Sequence, residues 1–222
     1  MARFNEYKQG RNYENLQNGM YYGEGEYDIP VLLPVKNVEV SEWVPFNYAK
    51  THKNPGETGV HFFIDDYQFE RVWRFPSTYA QMLSRFKAVC TPDFSPYADF
   101  PKAIQLYNHY RKHWCGAYWQ EQGLTVIPTI TWSSPDTLEW AFDGEPVGGV
   151  VITSSLGMFE SKETLSWMLE GYAEMIRQLK PVKIFWKGKV PEELAADEKS
   201  GLICKIRQHN DRWRGVEKKK EG

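Results

Sequence analysis

The sequence has little cysteine and no long apolar run, and both absences narrow the class of protein. Its three cysteines, Cys90, Cys115 and Cys204, are odd in number and widely spaced, so they indicate neither a disulfide framework nor a zinc site. Reduced thiols are typical of the cytoplasm, where we expect the protein to act. No apolar run approaches the roughly 20 residues of a membrane span. The polar start MARFNEYKQG does not have the pattern of a signal peptide.

A strong charge of either sign is also missing. The net charge of −2 argues against a surface built wholly to bind polyphosphates, but it allows a local basic patch. A cluster of basic side chains lies near the end of the chain, at Lys205, Arg207, Arg212, Arg214, Lys218, Lys219 and Lys220. Such a cluster suits contact with nucleic-acid phosphates, although a charged terminal helix is more often simply solvated.

Several motifs that would identify a reaction are absent. The chain has neither a GxxxxGK[ST] phosphate loop nor a GxGxxG turn after a predicted strand. Ser154 and Ser155 do not lie in a GxSxG nucleophile motif. His109 and His113 have the i,i+4 spacing of two metal ligands on a helix, but the glutamate of HExxH is missing, so we expect a solvent-facing pair.

Aromatic residues are abundant, at 15% of the chain, and provide material for a sizeable core. Residues 1–59 are rich in glycine and proline, and we interpret them as an irregular N-terminal arm packed on the main domain. Residues 60–215 form the predicted α/β domain, and residues 216–222 form a charged tail.

From residue 60 onward, short apolar runs alternate with helical patterns. Predicted strands cover 60–64, 87–91, 124–132, 147–157 and 181–188. Strong helical patterns cover 101–122 and 161–179, a last helix is predicted at 201–215, and residues 134–142 start like a helix. Alternation of this kind predicts an α/β fold with about five parallel strands buried under helices. The domain is shorter than the roughly 250 residues of a complete eightfold barrel, so we expect an open sheet or a partial barrel.

Polar side chains follow the predicted strands, where parallel α/β folds bind their ligands. Asp66 follows the first strand and Asp93 the second, and we predict both as catalytic, in acid/base chemistry or in holding a metal. Capping of the next helix is the simpler alternative for each. The predicted ligand-binding residues are Ser95, Arg111, Trp132, Ser133 and Lys187.

Three blocks of this sequence resemble a known family. They are HFFIDDYQFERVW, VCTPDFSPYADFPKAIQLYNHYRKHWCGAYWQEQGLTVIPTITWS and FDGEPVGGVVITSSLG. They are similar to signature blocks of the domain of unknown function 4417 family, which occurs in bacteria, phages and mobile elements, and the resemblance covers residues from about 21 to about 187. It implies no reaction. The motif positions that it implies are Asp66, Glu70, Arg71, Asp93, Ser95, Gln105, Arg111, Trp119, Gln120, Trp132 and Ser133.

Two functions stay open. The first is an enzyme of phage or mobile-element type that acts on a phosphate-bearing small molecule or a nucleic acid, with Lys187 or Arg111 facing the anion. Its cofactor is unknown, and a divalent cation is one alternative. The second is a non-catalytic protein that holds DNA, RNA or a host protein through Lys205, Arg207, Arg212, Arg214 and exposed aromatic residues. Neither hypothesis involves a membrane.

Overall fold

The computed structural model describes residues 14–206. The strands are β1 Gly23–Glu24, β2 Ile29–Pro30, β3 Glu42–Pro45, β4 Thr58–His61, β5 Ala88–Cys90, β6 Val126–Ile127, β7 Val150–Ser154, β8 Lys183–Lys187 and β9 Ile203–Lys205. The helices are α1 Phe46–Ala49, α2 Arg71–Arg74, α3 Pro76–Leu83, α4 Lys102–Glu121, α5 Lys162–Leu179 and α6 Ala195–Ser200. Short 3-10 turns cover Pro55–Glu57, Asp66–Gln68, Pro135–Glu139 and Glu192–Leu194.

Seven of these strands are parallel and lie side by side in chain order. Strands β3, β4, β5 and β6 form one sheet, and β7, β8 and β9 form a second. A parallel bridge between Thr129 and Ile152 joins the end of the first sheet to the start of the second. Helices separate most of the strands, so the predicted α/β class is confirmed. Strands β1 and β2 form a small antiparallel pair outside this arrangement.

The two sheets curve around a shared core. The ring of Trp43 on β3 lies 5.0 Å from the ring of Phe185 on β8, although four strands separate β3 from β8 in the sheet order. Because a flat sheet would hold these strands far apart, the contact shows curvature of the partial-barrel kind. We call the side that carries Trp43 and Phe185 the inner face.

Alternate residues of each strand point to opposite sides of the sheet. On β7, Val150 and Ile152 belong to the same apolar cluster as Trp43, whereas Val151 belongs to the cluster that packs under α5. Strand β8 shows the same alternation, with Phe185 on the inner face and its two neighbours towards α5. Both sides of the sheet are therefore buried, as expected for parallel strands.

The two longest helices have the bounds that their sequence signals predict. Helix α4 begins directly after Pro101, and Gly123, with a φ of +81°, follows its end. Helix α5 begins at a capping box in which Ser161 and Thr164 each accept a hydrogen bond from the other's backbone N–H. The predictions of helices at 101–122 and 161–179 are confirmed.

Three local predictions were wrong. Residues 203–205, predicted as part of a helix over 201–215, form β9, because pairing with β8 buries Ile203; residues 207–215 lie outside the described part of the chain. The helix expected at 134–142 is only the 3-10 turn Pro135–Glu139. The stretch predicted as an arm contributes β3, the first strand of the parallel order.

Candidate active site

The two predicted catalytic residues, Asp66 and Asp93, follow neighbouring parallel strands at their carboxyl ends. Asp66 begins the turn after β4, and Asp93 lies three residues beyond the end of β5. Asp66 accepts hydrogen bonds from the backbone N–H of Ser95, at 3.1 Å, and from its hydroxyl, at 2.8 Å. These bonds join the segment after β4 to the segment after β5. Helix capping was the simpler alternative for both residues. Asp66 instead accepts its hydrogen bonds from a residue 29 positions away. Helix α4, which follows Asp93, begins without any side-chain cap.

Asp93 is partly buried, and its electrostatic surroundings distinguish it from an ordinary surface carboxyl group. Burial and the charge of Asp66 together raise the pKa of Asp93 from 3.8 to about 7, while the ammonium group of Lys112 acts weakly in the opposite direction. A carboxyl group that titrates near neutral pH can both donate and accept a proton under physiological conditions.

A chain of hydrogen bonds continues from Ser95 to helices α2 and α4. Asn108 donates to the backbone oxygen of Ser95 at 2.8 Å and accepts from Arg111 at 2.7 Å. The same guanidinium group donates to both carboxylate oxygens of Glu70, at 3.0 and 3.1 Å, and its central carbon lies 3.9 Å from the ring centre of Phe94. Arg111 thus has a firm structural role beside the carboxylate pair, and its predicted contact with a ligand stays a prediction.

A buried ionic cluster of Lys112, His113 and Glu145 lies behind this site. Glu145 accepts hydrogen bonds from the ammonium group of Lys112, at 2.8 Å, and from Nε2 of His113, at 3.0 Å. Lys112 also donates to the backbone oxygen of Thr129, at 3.0 Å. All three side chains are at most 1% exposed. The cluster fixes a positive charge close enough to Asp93 to influence its pKa.

The expectation that His109 and His113 form a solvent-facing pair was wrong. Both rings are buried, and His109 shares a hydrogen bond with the backbone oxygen of Asp143. Burial and the nearby charges of Lys112 and His113 hold the pKa of His109 well below its usual range. Helix α4 is buried around much of its circumference, so polar residues at i,i+4 spacing do not indicate a solvated face here. The periodicity of the sequence does not distinguish a solvent-exposed pair of histidines from a buried pair.

Lys187 and His61 lie at the carboxyl ends of β8 and β4. Lys187 is two residues beyond Phe185 and therefore on the inner face, and it is only 9% exposed. His61 is 2% exposed, and burial together with the charge of Lys187 lowers its pKa to about 3. Nδ1 of His61 accepts a hydrogen bond from the backbone N–H of Phe63 at 3.3 Å, whereas its Nε2 atom has no partner among the described residues.

Trp132, Ser133 and Lys205, which were also predicted to contact a ligand or nucleic acid, have contacts of their own in the structure. Trp132 packs on Gly171 of α5 and donates to the backbone oxygen of Trp167 at 3.0 Å, so it lies on the helix-covered side of the sheet. The backbone N–H of Ser133 donates to Thr137 in the turn that follows. Lys205 forms an ion pair with Glu198 at 2.7 Å. Arg207, Arg212 and Arg214 lie outside the described residues.

The structure also bears on metal binding and membrane insertion. Within residues 14–206, no group of three or more His, Cys, Asp or Glu side chains is placed to hold a metal ion. A divalent cation therefore stays a prediction to be tested by titration. In the same part of the chain, no helix has both the length and the hydrophobicity that crossing a bilayer requires.

The fold and the site together define a parallel α/β protein with a carboxylate pair at the carboxyl edge of its sheet. Residues 21–208 match the family described as "Domain of unknown function (DUF4417)", and the chain belongs to that family. The predicted resemblance is thereby confirmed.

The matched relatives are phage proteins. The Gene 1 protein of Mycobacterium phage L5 is 40% identical over 167 residues, and that of Mycobacterium phage D29 is 37% identical over 166 residues. Each match covers 74% of this chain, with 72% of the L5 protein and 61% of the D29 protein. The chain is therefore a phage-type member of the family. No solved structure gives a significant match.

Proposed function

We propose that this protein is an enzyme that binds a phosphate-bearing small molecule or a nucleic acid at the carboxyl edge of its sheet, with Asp93 as the proton-transferring group. The observation that carries the proposal is the placement of Asp66 and Asp93 after two adjacent parallel strands, where Asp66 is hydrogen-bonded to Ser95, two residues beyond Asp93. Asp66 is held by two hydrogen bonds from Ser95. Burial, together with the charge of Asp66, raises the pKa of Asp93 to about 7. Paired carboxyl groups that differ in environment are a common arrangement for acid/base catalysis.

Exposed aromatic rings beside the pair favour a ligand that contains a base. Tyr67 directly follows Asp66 and is 77% exposed, and Tyr97 lies two residues after Ser95 and is 58% exposed. The hydrogen bonds between Asp66 and Ser95 hold these two segments together. Tyrosine rings at such a position can stack on nucleobases.

A ligand screen followed by an assay for conversion tests the proposal. Thermal unfolding of the full chain would be measured with nucleotides, dinucleotides, short oligonucleotides and divalent ions, and each compound that raises Tm would be incubated and analysed by mass spectrometry. We expect at least one phosphate-bearing compound to bind and to be converted. Asp93→Asn should slow conversion by about 10²- to 10⁴-fold, the usual contribution of an acid/base group.

Asp99→Asn is the matched control, because Asp99 is an exposed carboxylate on the same segment. It should bind and convert the compound at the wild-type rate. The proposal fails if no compound raises Tm, or if Asp93→Asn and wild type convert the compound equally fast. Nucleic-acid retention that weakens steeply with salt but leads to no conversion would favour the non-catalytic alternative instead.

A further inference from the structure

A closed ring of hydrogen bonds ties the segments after β4 and β5 to helix α4. Its members, in order, are Asp66, Ser95, Asn108, Arg111 and Glu70. The ring closes in the turn after β4, where the backbone N–H of Glu70 donates to the backbone oxygen of Asp66 at 2.9 Å. Both segments are therefore fixed to each other and to the same helix.

The ring also holds the residue that directly follows Asp93. The side chain of Phe94 is 2% exposed, and it packs between the guanidinium group of Arg111, at 3.9 Å from its ring centre, and the ring of Phe69, at 5.2 Å. Ser95, the next residue, is bound by Asn108 through its backbone oxygen at 2.8 Å. Because consecutive Cα atoms are only about 3.8 Å apart, contacts that fix Phe94 and Ser95 also limit where Asp93 can lie.

Asn108 and Arg111 direct their polar atoms into the protein. Asn108 is 3% exposed, and its amide group both donates to Ser95 and accepts from Arg111. Arg111 is 9% exposed, and its two terminal nitrogens donate to Glu70 and to Asn108. Buried side chains with fixed partners of this kind hold the reactive groups of a site in their working geometry.

We propose that Asn108 and Arg111 are positioning residues, which hold Asp93 in its partly buried place beside the other carboxylate of the site. This role rests on the proposed function for the task of Asp93 and adds the side chains that keep it in place. The charges that act on Asp93 are those of Asp66 and Lys112, and Asn108 has no charge. A change at Asn108 therefore reaches Asp93 only by moving it or by admitting water.

The pKa of Asp93 reports its position, because burial and the charge of Asp66 raise it to about 7. It would be measured in the full chain by NMR titration of the side-chain carboxyl carbon. Asn108→Ala should lower this pKa by about one pH unit or more, since release of the segment exposes Asp93 to water. Arg111→Lys keeps the positive charge but lacks the planar fork, and it should lower the pKa in the same direction. This second variant provides the test if Asn108→Ala does not fold.

Gln105→Ala is the matched control. Gln105 lies one turn before Asn108 on α4, is equally buried at 3% exposure, and also donates to a backbone oxygen at 2.8 Å, that of Phe100. Its loss should lower the free energy of unfolding but leave the pKa of Asp93 at the wild-type value. A wild-type pKa of Asp93 in every folded variant at positions 108 and 111 would overturn the positioning role. An equally large fall in Gln105→Ala would overturn it as well, because general loosening of α4 would then explain both.

The two proposals can fail separately. A pKa of Asp93 that falls in Asn108→Ala, while wild type converts no compound, overturns the proposed function alone. If wild type converts a compound, the pH at which the ionisation of Asp93 changes the rate should move down in Asn108→Ala by the same amount as the pKa. Conversion by wild type together with an unmoved pKa in Asn108→Ala overturns the positioning role alone.

Discussion

Replacing Asp93 by asparagine is expected to stabilise the folded protein increasingly as the pH rises from about 4 to about 7. The pKa of Asp93 is raised from 3.8 in the unfolded chain to about 7 in the folded one. Between these two pH values the folded state binds the proton and the unfolded state does not. The contribution of Asp93 to the free energy of unfolding therefore falls as the pH increases. A shift of this size corresponds to at most about 4 kcal/mol above pH 7, and to about 2 kcal/mol if partial exposure halves it.

Urea unfolding of wild type and Asp93→Asn at intervals from pH 4 to pH 9 measures this effect. The difference in free energy of unfolding should grow through that range and then level off above pH 7. Asp99→Asn, on the same segment, should show no such growth, because Asp99 is exposed. A constant difference between wild type and Asp93→Asn at every pH would contradict the raised pKa. Functional residues often destabilise the folded state, so a destabilising effect of Asp93 near neutral pH is expected if it has a functional role.

The second large effect is expected at Glu145. Glu145 accepts hydrogen bonds from the ammonium group of Lys112, at 2.8 Å, and from His113, at 3.0 Å, and all three side chains are at most 1% exposed. Burial raises the pKa of Glu145, but these two neighbours outweigh it and hold the pKa below its usual range. Glu145→Gln leaves the buried charge of Lys112 uncompensated and should cost about 3–5 kcal/mol of stability.

Chemical denaturation at pH 7 measures the free energy of unfolding of wild type and Glu145→Gln. Glu174→Gln is the control, because Glu174 is also ion-paired, with Arg177, but at the surface, and its loss should cost no more than about 1 kcal/mol. The double variant Lys112→Met/Glu145→Leu removes the charge of Lys112 together with that of Glu145 and should recover part of the loss. A cost below about 1 kcal/mol for Glu145→Gln would show that the cluster does not carry the charges that its geometry indicates.

The sequence predicted the parallel α/β class because local signals and tertiary structure agree for its main elements. Proline before α4, glycine after it and the capping box of α5 act within a few residues, and all three are present in the structure. Strand β9 was missed because its pairing with β8 depends on a residue far away in the chain. Strand β3 was missed for a similar reason, since its last residue is Pro45, which indicates irregular structure when the pairing with β4 is not known.

The candidate site was predictable only in part. The rule that ligands bind beyond the carboxyl ends of parallel strands selected Asp66 and Asp93, and the structure brings Asp66 into contact with Ser95 and close to Asp93. The same rule selected Trp132, which the structure places under α5, because residues after a strand can point to either side of the sheet. Glu145 was missed because its buried partners, Lys112 and His113, are more than 30 residues away in sequence.

The most direct test of the carboxylate pair is an NMR titration of the Asp93 side-chain carboxyl carbon in wild type and in Asp66→Asn. We expect an apparent pKa of about 7 in wild type and a lower, still raised one in Asp66→Asn, because burial remains while the contribution of the Asp66 charge is removed. A wild-type pKa near 3.8, or a raised pKa that Asp66→Asn leaves unchanged, would contradict the claim that these two residues act as a pair.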